Sequence, residues 1–193
     1  MIKNVTIIGG GVLGSQIAFQ TAFTGHSTTI YLRTKESIKR TEIKLENIKN
    51  SYIDAIKTMK NEVNINTWSL GIADFDNFNY KKTLKKINET IDNIKLEMDL
   101  NKSLKDADLV IESMTEDFNA KKEIYQKIAD IMDEKTILVT NSSTFLPSKF
   151  AKYTKRSDKY LALHFANSIW KNNTAEVMKI SKTSDESFNE VIN

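Results

Sequence analysis

The chain has 193 residues, 40% of them hydrophobic and 27% charged, and its 28 basic against 25 acidic residues leave a net charge of +3. That size supports about one domain with a sizeable core; the composition is too apolar for disorder, and the charge bias too small to point to nucleic acid or a membrane surface. Zero cysteines exclude disulfides, thiolate metal sites and thiol catalysis, and with no long apolar run and no signal-peptide pattern before Val5 the expectation is a soluble, cytoplasmic protein in a reducing compartment.

Strands and helices alternate along the chain. Val5 to Ile8 is a β-rich run that stops at Gly9-Gly10-Gly11; Val12 to Thr24 has helical spacing, with Gly25 placed to end it. Thr28 to Leu32 is a second β-branched run, completing a βαβ unit. Over residues 35–60, Ile38, Leu45, Tyr52 and Met59 recur every seven residues with Thr41, Ile48 and Ala55 between them, which predicts one long helix. Leu84, Ile87, Ile91 and Ile94 predict a second amphipathic helix, so residues 35–94 read as a helical hairpin joined by a polar loop around Asn64 to Asn79. Lys81, Lys82, Lys85 and Lys86 read as a solvated face of that helix. Strands are then expected at 95–99, 109–113, 136–140, 160–165 and 175–180, a helix at 119–132, and a short helix around Pro147. A last helix starts near Ser184-Asp185-Glu186. The fold class is therefore α/β, a doubly wound, mostly parallel sheet with an inserted hairpin.

Gly9, Gly11 and Gly14 form G-x-G-x-x-G between a strand and a helix. The first glycine permits the turn, the second admits a pyrophosphate, and the third lets helix and strand approach. With Val12 and Leu13 these residues form the candidate phosphate site. The acid that would hold a ribose 2′-OH at the end of the second strand is missing; Leu32-Arg33-Thr34-Lys35 stands there. Arg33 and its neighbours suit a 2′-phosphate, or Arg33 stacks on the adenine. The cofactor is NAD or NADP, with a lean to NADP.

Four stretches together resemble the 3-hydroxyacyl-CoA dehydrogenase family, in particular its NAD-binding Rossmann domain: Val5 to Gly14, Ala107 to Glu112, Asn141-Ser142-Ser143-Thr144 and Leu163-His164-Phe165-Ala166-Asn167. The resemblance implies reversible hydride transfer between the 3-hydroxyl of an acyl-CoA and the nicotinamide, and a homodimer with a helical C-terminal domain. Residues 1–183 would then be the dinucleotide domain, and 184–193 the start of a helix leading to a C-terminal domain missing from this chain. His164 matches the family's general base and Glu176, twelve residues on, its orienting carboxylate. Ser143 and Asn167 match positions that hold the reacting oxygen, while Glu116, Lys121 and Asn141 match cofactor contacts.

Read without the resemblance, His164 is equally a buried structural histidine, Ser143 a helix cap, Glu116 a helix N-terminal acid and Lys121 a surface lysine. His26, the other histidine, reads as a capping residue. The family commonly has His-Phe-Phe-Asn-Pro where this chain has His164-Phe165-Ala166-Asn167-Ser168, and the following Trp170-Lys171-Asn172-Asn173-Thr174 is polar, which favours a short acyl group. Lys44, Lys49 and Lys57 on the hairpin are candidates for the CoA nucleotide. Two other readings stay open: an NADP-dependent dehydrogenase of free hydroxy acids, and a catalytically silent nucleotide-binding module.

Overall fold

A computed structural model describes residues 1–61 and 68–193. Among the described residues seven strands form one sheet in the order β3-β2-β1-β4-β5-β6-β7. They are β1 (Asn4–Ile8), β2 (Ser27–Tyr31), β3 (Ile94–Glu97), β4 (Leu109–Glu112), β5 (Ile137–Thr140), β6 (Tyr160–Phe165) and β7 (Ala175–Lys179). β1 to β6 are parallel and β7 runs antiparallel to β6 along one edge. The chain reverses its direction of strand addition between β1 and β4, the place where doubly wound sheets bind ligands.

The register explains the short apolar runs. Ile30, Ile7, Ile111, Val139 and Leu161 are successive partners across five strands, and all five side chains are buried in one core layer. Their neighbours Ile8, Val110, Leu138 and Tyr160 point the other way into a second core. Both faces are thus covered, and the strands read as continuous apolar runs because no face meets water. The first layer is covered by α1 (Val12–Phe23), α2 (Lys35–Asn61) and α3 (Tyr80–Thr90); the second by α4 (Leu100–Leu104) and α5 (Phe118–Ala129). α6 (Asp185–Ile192) is capped by Ser184 and lays Phe188 and Val191 on the first core.

The long helix expected from the seven-residue spacing is present, and Thr41, Leu45, Ile48, Tyr52, Ala55 and Met59 are its buried stripe. Tyr52 is fully buried against the rings of Phe19, Phe23 and Trp170 at 4.7–5.5 Å. The second helix is shorter than its apolar spacing suggested. It ends at Thr90, Ile91–Asn93 is a 3-10 turn, and Ile94 opens β3 beside Thr28. The cause is that Ile94 is held by strand pairing, for which a helical stripe offers no competing partner.

The connection expected to be polar falls partly on residues 64–67, which lie outside the described residues. The remainder is not a polar loop: Trp68 and Ile72 are buried, and Trp68 packs against a tilted Phe75 ring and an edge-on Phe78 ring while its Nε1 donates to Ala73 O at 2.8 Å. Of the four clustered lysines, Lys86 is not simply solvated; its ammonium lies 4.2 Å from the centre of the Phe23 ring. Partial burial, with Lys82 nearby, lowers its pKa. α4 was not expected from the sequence; Asp99 caps it through Lys102 N. Among the described residues no helix is long and apolar enough to cross a membrane.

At the start of β1, the Asp108 carboxylate accepts the amides of Lys3 and Asn4 at 2.9 Å each and the Lys135 ammonium at 2.6 Å. Burial raises its pKa, but these donors outweigh it and hold the group at about 2 against an ordinary 3.8. A carboxyl depressed in the folded state stabilises above its unfolded pKa and loses that effect as the pH falls through its folded one. Asp108→Asn should therefore remove about 1 kcal/mol at pH 7 once solvent screening is allowed for. Urea unfolding between pH 7 and pH 2 should show the wild type converging on the variant below about pH 4; parallel profiles would contradict the assignment.

Candidate active site

The glycine loop leaves β1 and enters α1 at the switch point. Gly9 has φ +111°, and a Cβ there would meet Ser113 O at 2.5 Å, so both conformation and space require glycine. A Cβ on Gly14 would meet Gly9 O at 2.1 Å, which is the close helix–strand approach expected of the third glycine. Gly11 has open space where its Cβ would project. Ser15 N, donating to Gly11 O at 3.0 Å, begins the helical ladder, so the amides before it are the unpaired donors of a helix start. Open space at Gly11 and free donors beside it fit a diphosphate.

These residues line a cleft of about 570 Å³. Gly9, Gly11, Val12, Leu13 and Gly14 line it at the end of β1, with Leu32 and Arg33 coming from the β2 side and Glu116, Asn141 and Ser143 from the β4 and β5 side. Nine of the ten sequence-predicted cofactor residues are thus brought together; Lys121 is placed elsewhere. Thr34, Ser37, Arg40 and Lys44 also line the cleft; Thr34 is one of the Arg33 neighbours expected at a 2′-phosphate and Lys44 one of the lysines expected at a CoA nucleotide, while Ser37 and Arg40 are new. Their signal in the sequence is only that they follow β2 on the first turns of α2. Thr34 is occupied with capping: its Oγ1 accepts from Ser37 N and Ser37 Oγ accepts from Thr34 N, both at 3.1 Å. Lys44 donates to Gly10 O at 3.1 Å and so faces the glycine loop, while Lys49 and Lys57 pair with Glu46 and Asp54 one turn away. Lys44 is thus turned to the glycine loop, apart from the ion pairs that Lys49 and Lys57 make along α2.

At the far end, β6 and β7 place His164 and Glu176 directly opposite each other in register. Glu176 Oε2 lies 3.4 Å from His164 Nδ1, and Ser143 Oγ lies 2.9 Å from Nε2. A carboxylate opposite Nδ1 favours the Nδ1–H tautomer, which leaves the Nε2 lone pair facing Ser143. Asn141 accepts the amide of Phe165 at 2.9 Å and so ties the end of β5 to the histidine strand. Asn167 is exposed on the loop after β6; among the described residues its carbonyl accepts from Asn172 Nδ2 at 2.7 Å, and its side chain has no hydrogen bond to the His164 cluster. His26 contacts Thr24 and Thr21 at the end of α1, well away from this site.

Glu116 and Lys121 are placed by a buried carboxylate that sequence reasoning missed. Glu112, at the end of β4, has no accessible side-chain surface. Its oxygens accept Lys121 Nζ (2.7 Å), Met114 N (2.8 Å), Tyr125 Oη (2.7 Å) and Thr140 Oγ1 (2.8 Å). Lys121 is equally inaccessible, so it is neither a surface lysine nor on the cleft wall; its ammonium lies between Glu112 and Glu116, 3.9 Å from the latter. Burial and the adjacent Glu112 charge push the Tyr125 phenol well up, which keeps it a donor. Glu116 in turn accepts Ser142 Oγ (2.7 Å), Thr144 Oγ1 (2.9 Å) and Ser143 N (3.2 Å). Its burial raises the pKa, but these donors and Lys121 prevail and hold the carboxyl below the usual range. The signal available in sequence was an acid at the end of an otherwise apolar strand, which in a closed sheet must find donors.

A βαβ phosphate cradle at the switch point of a parallel sheet, with a hydroxyl–imidazole–carboxylate line nearby, is the arrangement of a dinucleotide-binding domain. The family model described as 3-hydroxyacyl-CoA dehydrogenase, NAD binding domain, matches residues 4–193, and the chain belongs to that family. It is 26% identical over all of its length to the mitochondrial hydroxyacyl-coenzyme A dehydrogenase of Rattus norvegicus, covering 55% of that protein. It is 28% identical over 97% of its length to a 3-hydroxybutyryl-CoA dehydrogenase of Clostridioides difficile, covering 58% of it. A solved diketoreductase, described as acting on dicarbonyl compounds, superposes with a TM-score of 0.82 at 41% identity, over 99% of this chain and 59% of that one. The chain spans about half the length of the curated relatives it matches.

Lys121→Met leaves the Glu112 charge buried without its counter-ion and should destabilise the fold by about 3–5 kcal/mol. Combining it with Glu112→Gln should recover part of that loss in urea unfolding. Additive losses in the double variant would show that the two charges do not depend on each other.

Proposed function

We propose that this chain is the cofactor domain of an NAD(P)-dependent oxidoreductase that interconverts the 3-hydroxyl and 3-ketone of a short acyl-CoA. The Ser143–His164–Glu176 line at the end of the glycine-loop cleft carries the reading. A dinucleotide held in the cleft would supply the acceptor, or the donor, of the hydride at C3. In the oxidative direction His164 Nε2 removes the hydroxyl proton as the C–O bond becomes C=O. Glu176 holds the ring and offsets the positive charge it gains. Ser143 Oγ donates to the developing ketone oxygen; for Asn167, which stands apart from that cluster here, only the family resemblance supports a role as a second donor. Glu116 and Asn141 hold the nicotinamide side, with Lys121 acting behind Glu116. A cysteine-free sequence supports a cytoplasmic setting, and the family resemblance a homodimer.

At the adenosine end, Leu32 is only 4% exposed and offers no ribose acceptor, while Arg33 and Arg40 line the cleft beside it. This favours a 2′-phosphate and hence NADP; Arg33 stacking on adenine is the competing role. A second substrate class is favoured by one observation, the 41% identity to a diketoreductase. On that reading the substrate is a dicarbonyl compound without CoA, in keeping with Lys49 and Lys57 being paired with acids.

In a protein carrying this domain with its C-terminal remainder, His164→Ala should lower kcat by roughly 10²–10⁴-fold at saturating cofactor with little change in NADH affinity. Unchanged kcat would make the histidine structural. Faster turnover of free 3-hydroxybutyrate than of 3-hydroxybutyryl-CoA would overturn the acyl-CoA reading and leave the proton-transfer one intact. Fluorescence titration of the 193-residue chain should show Arg33→Asp weakening NADPH binding by about tenfold or more while NADH binding changes little; equal losses would assign Arg33 to the adenine.

A further inference from the structure

The loop of residues 166–174 joins His164 to Glu176 across the β6–β7 turn, and so fixes how the two strands carrying the reacting pair end. Near its start Ser168 has φ +58°, a conformation uncommon for a non-glycine residue and held by its surroundings. Of the loop's own bonds, Ala166 N to Thr174 O at 3.4 Å continues the β6–β7 ladder across its two ends, while Lys171 N and Asn172 N to Ser168 O at 2.8 and 2.9 Å close the turn without attaching its middle to the rest of the fold. Attachment comes from outside. Ile169 is buried, Trp170 packs on Tyr52, and Gly71 N donates to Trp170 O at 3.1 Å. The Ser168 amide itself donates to Gln16 Oε1 at 2.9 Å, across 152 residues of sequence.

Gln16 is nearly buried in the first turns of α1, two residues after Gly14. One helical turn on, Gln20 Nε2 donates to Gly71 O at 2.7 Å and its Oε1 accepts the Tyr52 hydroxyl. At i and i+4 the two carboxamides share one face of α1. The helix whose N-terminus receives the diphosphate thus also carries the loop behind the reacting histidine. We propose that Gln16 is a positioning residue, which sets the His164–Glu176 geometry by fixing Ser168. The inference rests on the reading of those two residues as the reacting pair.

The test uses the ¹⁵N-labelled chain, in which His26 and His164 are the only histidines. Gln16→Met fills the same space without an acceptor, whereas Gln16→Glu keeps an oxygen at the same reach. Gln16→Met should speed exchange of the Ser168 amide roughly tenfold. It should also move the His164 ring nitrogens from the Nδ1–H pattern toward a mixture of tautomers, with the His26 signals unmoved. Gln16→Glu should restore both. Unchanged Ser168 protection and His164 shifts in Gln16→Met would overturn the proposal, as would failure of Gln16→Glu to restore them. If collapse of the amide shift dispersion shows that Gln16→Met has not folded, Gln16→Asn, one methylene short of Ser168, is read against the same outcomes. Full activity of His164→Ala would remove the catalytic reading while leaving this structural result to stand or fall alone.

Discussion

The candidate site depends on a carboxylate that no solvent reaches. Glu112 stands at the end of β4, beside β1, and its four donors come from the following loop, two positions of α5 and the end of β5. A charge at that depth is costly unless every lone pair is used, and removing any one donor leaves an uncompensated group. The arrangement therefore selects one position for α5 and one for the turn after β5. From Glu112 the contacts continue outward through Lys121 to Glu116, then to the Ser142–Thr144 turn, and from Ser143 to His164. An unbroken series of polar contacts thus joins the core of the sheet to the atoms that would exchange a proton.

The other half of the cleft is fixed by sterics. Gly9 and Gly14 leave no room for a side chain because β1, α1 and the β4 end approach one another there, whereas Gly11 faces open space. Tight contact on two sides and none on the third is what backbone recognition of a diphosphate requires. Packing sets one end of the site and charge the other. Both ends meet at the same strand edges, because the sheet reverses its order between β1 and β4.

The parallel sheet was legible in the sequence because each inner strand is buried on both faces and so appears as an uninterrupted apolar run, as in Leu109 to Ile111. The glycine loop was legible because its spacing has a steric cause. The His164–Glu176 pairing came from family resemblance together with strand spacing, and the register puts the two residues opposite each other. What escaped were features created by tertiary contact. Ile94 fitted a helical stripe yet pairs as a strand with Thr28, and Trp68 and Ile72 sat in an apparently polar stretch yet fill the core against the α2 side of the sheet. Lys121 carried no sign of burial, because its partner Glu112 is nine residues away and belongs to a different element. Periodicity reports which face of an element is apolar, not which buried charge it will meet.

The cleft that starts at the glycine loop is lined at Ser143, whose hydroxyl lies 2.9 Å from His164 Nε2, and on the proposed reading one dinucleotide spans from the loop to that pair. A crystal structure of this chain with NAD⁺ bound tests it most directly. The diphosphate should lie against Gly11 and the α1 N-terminus, with the nicotinamide ring beside Ser143 and within reach of a substrate oxygen held by His164 Nε2. A nicotinamide turned away from Ser143, or a dinucleotide bound outside the glycine loop, would contradict the account.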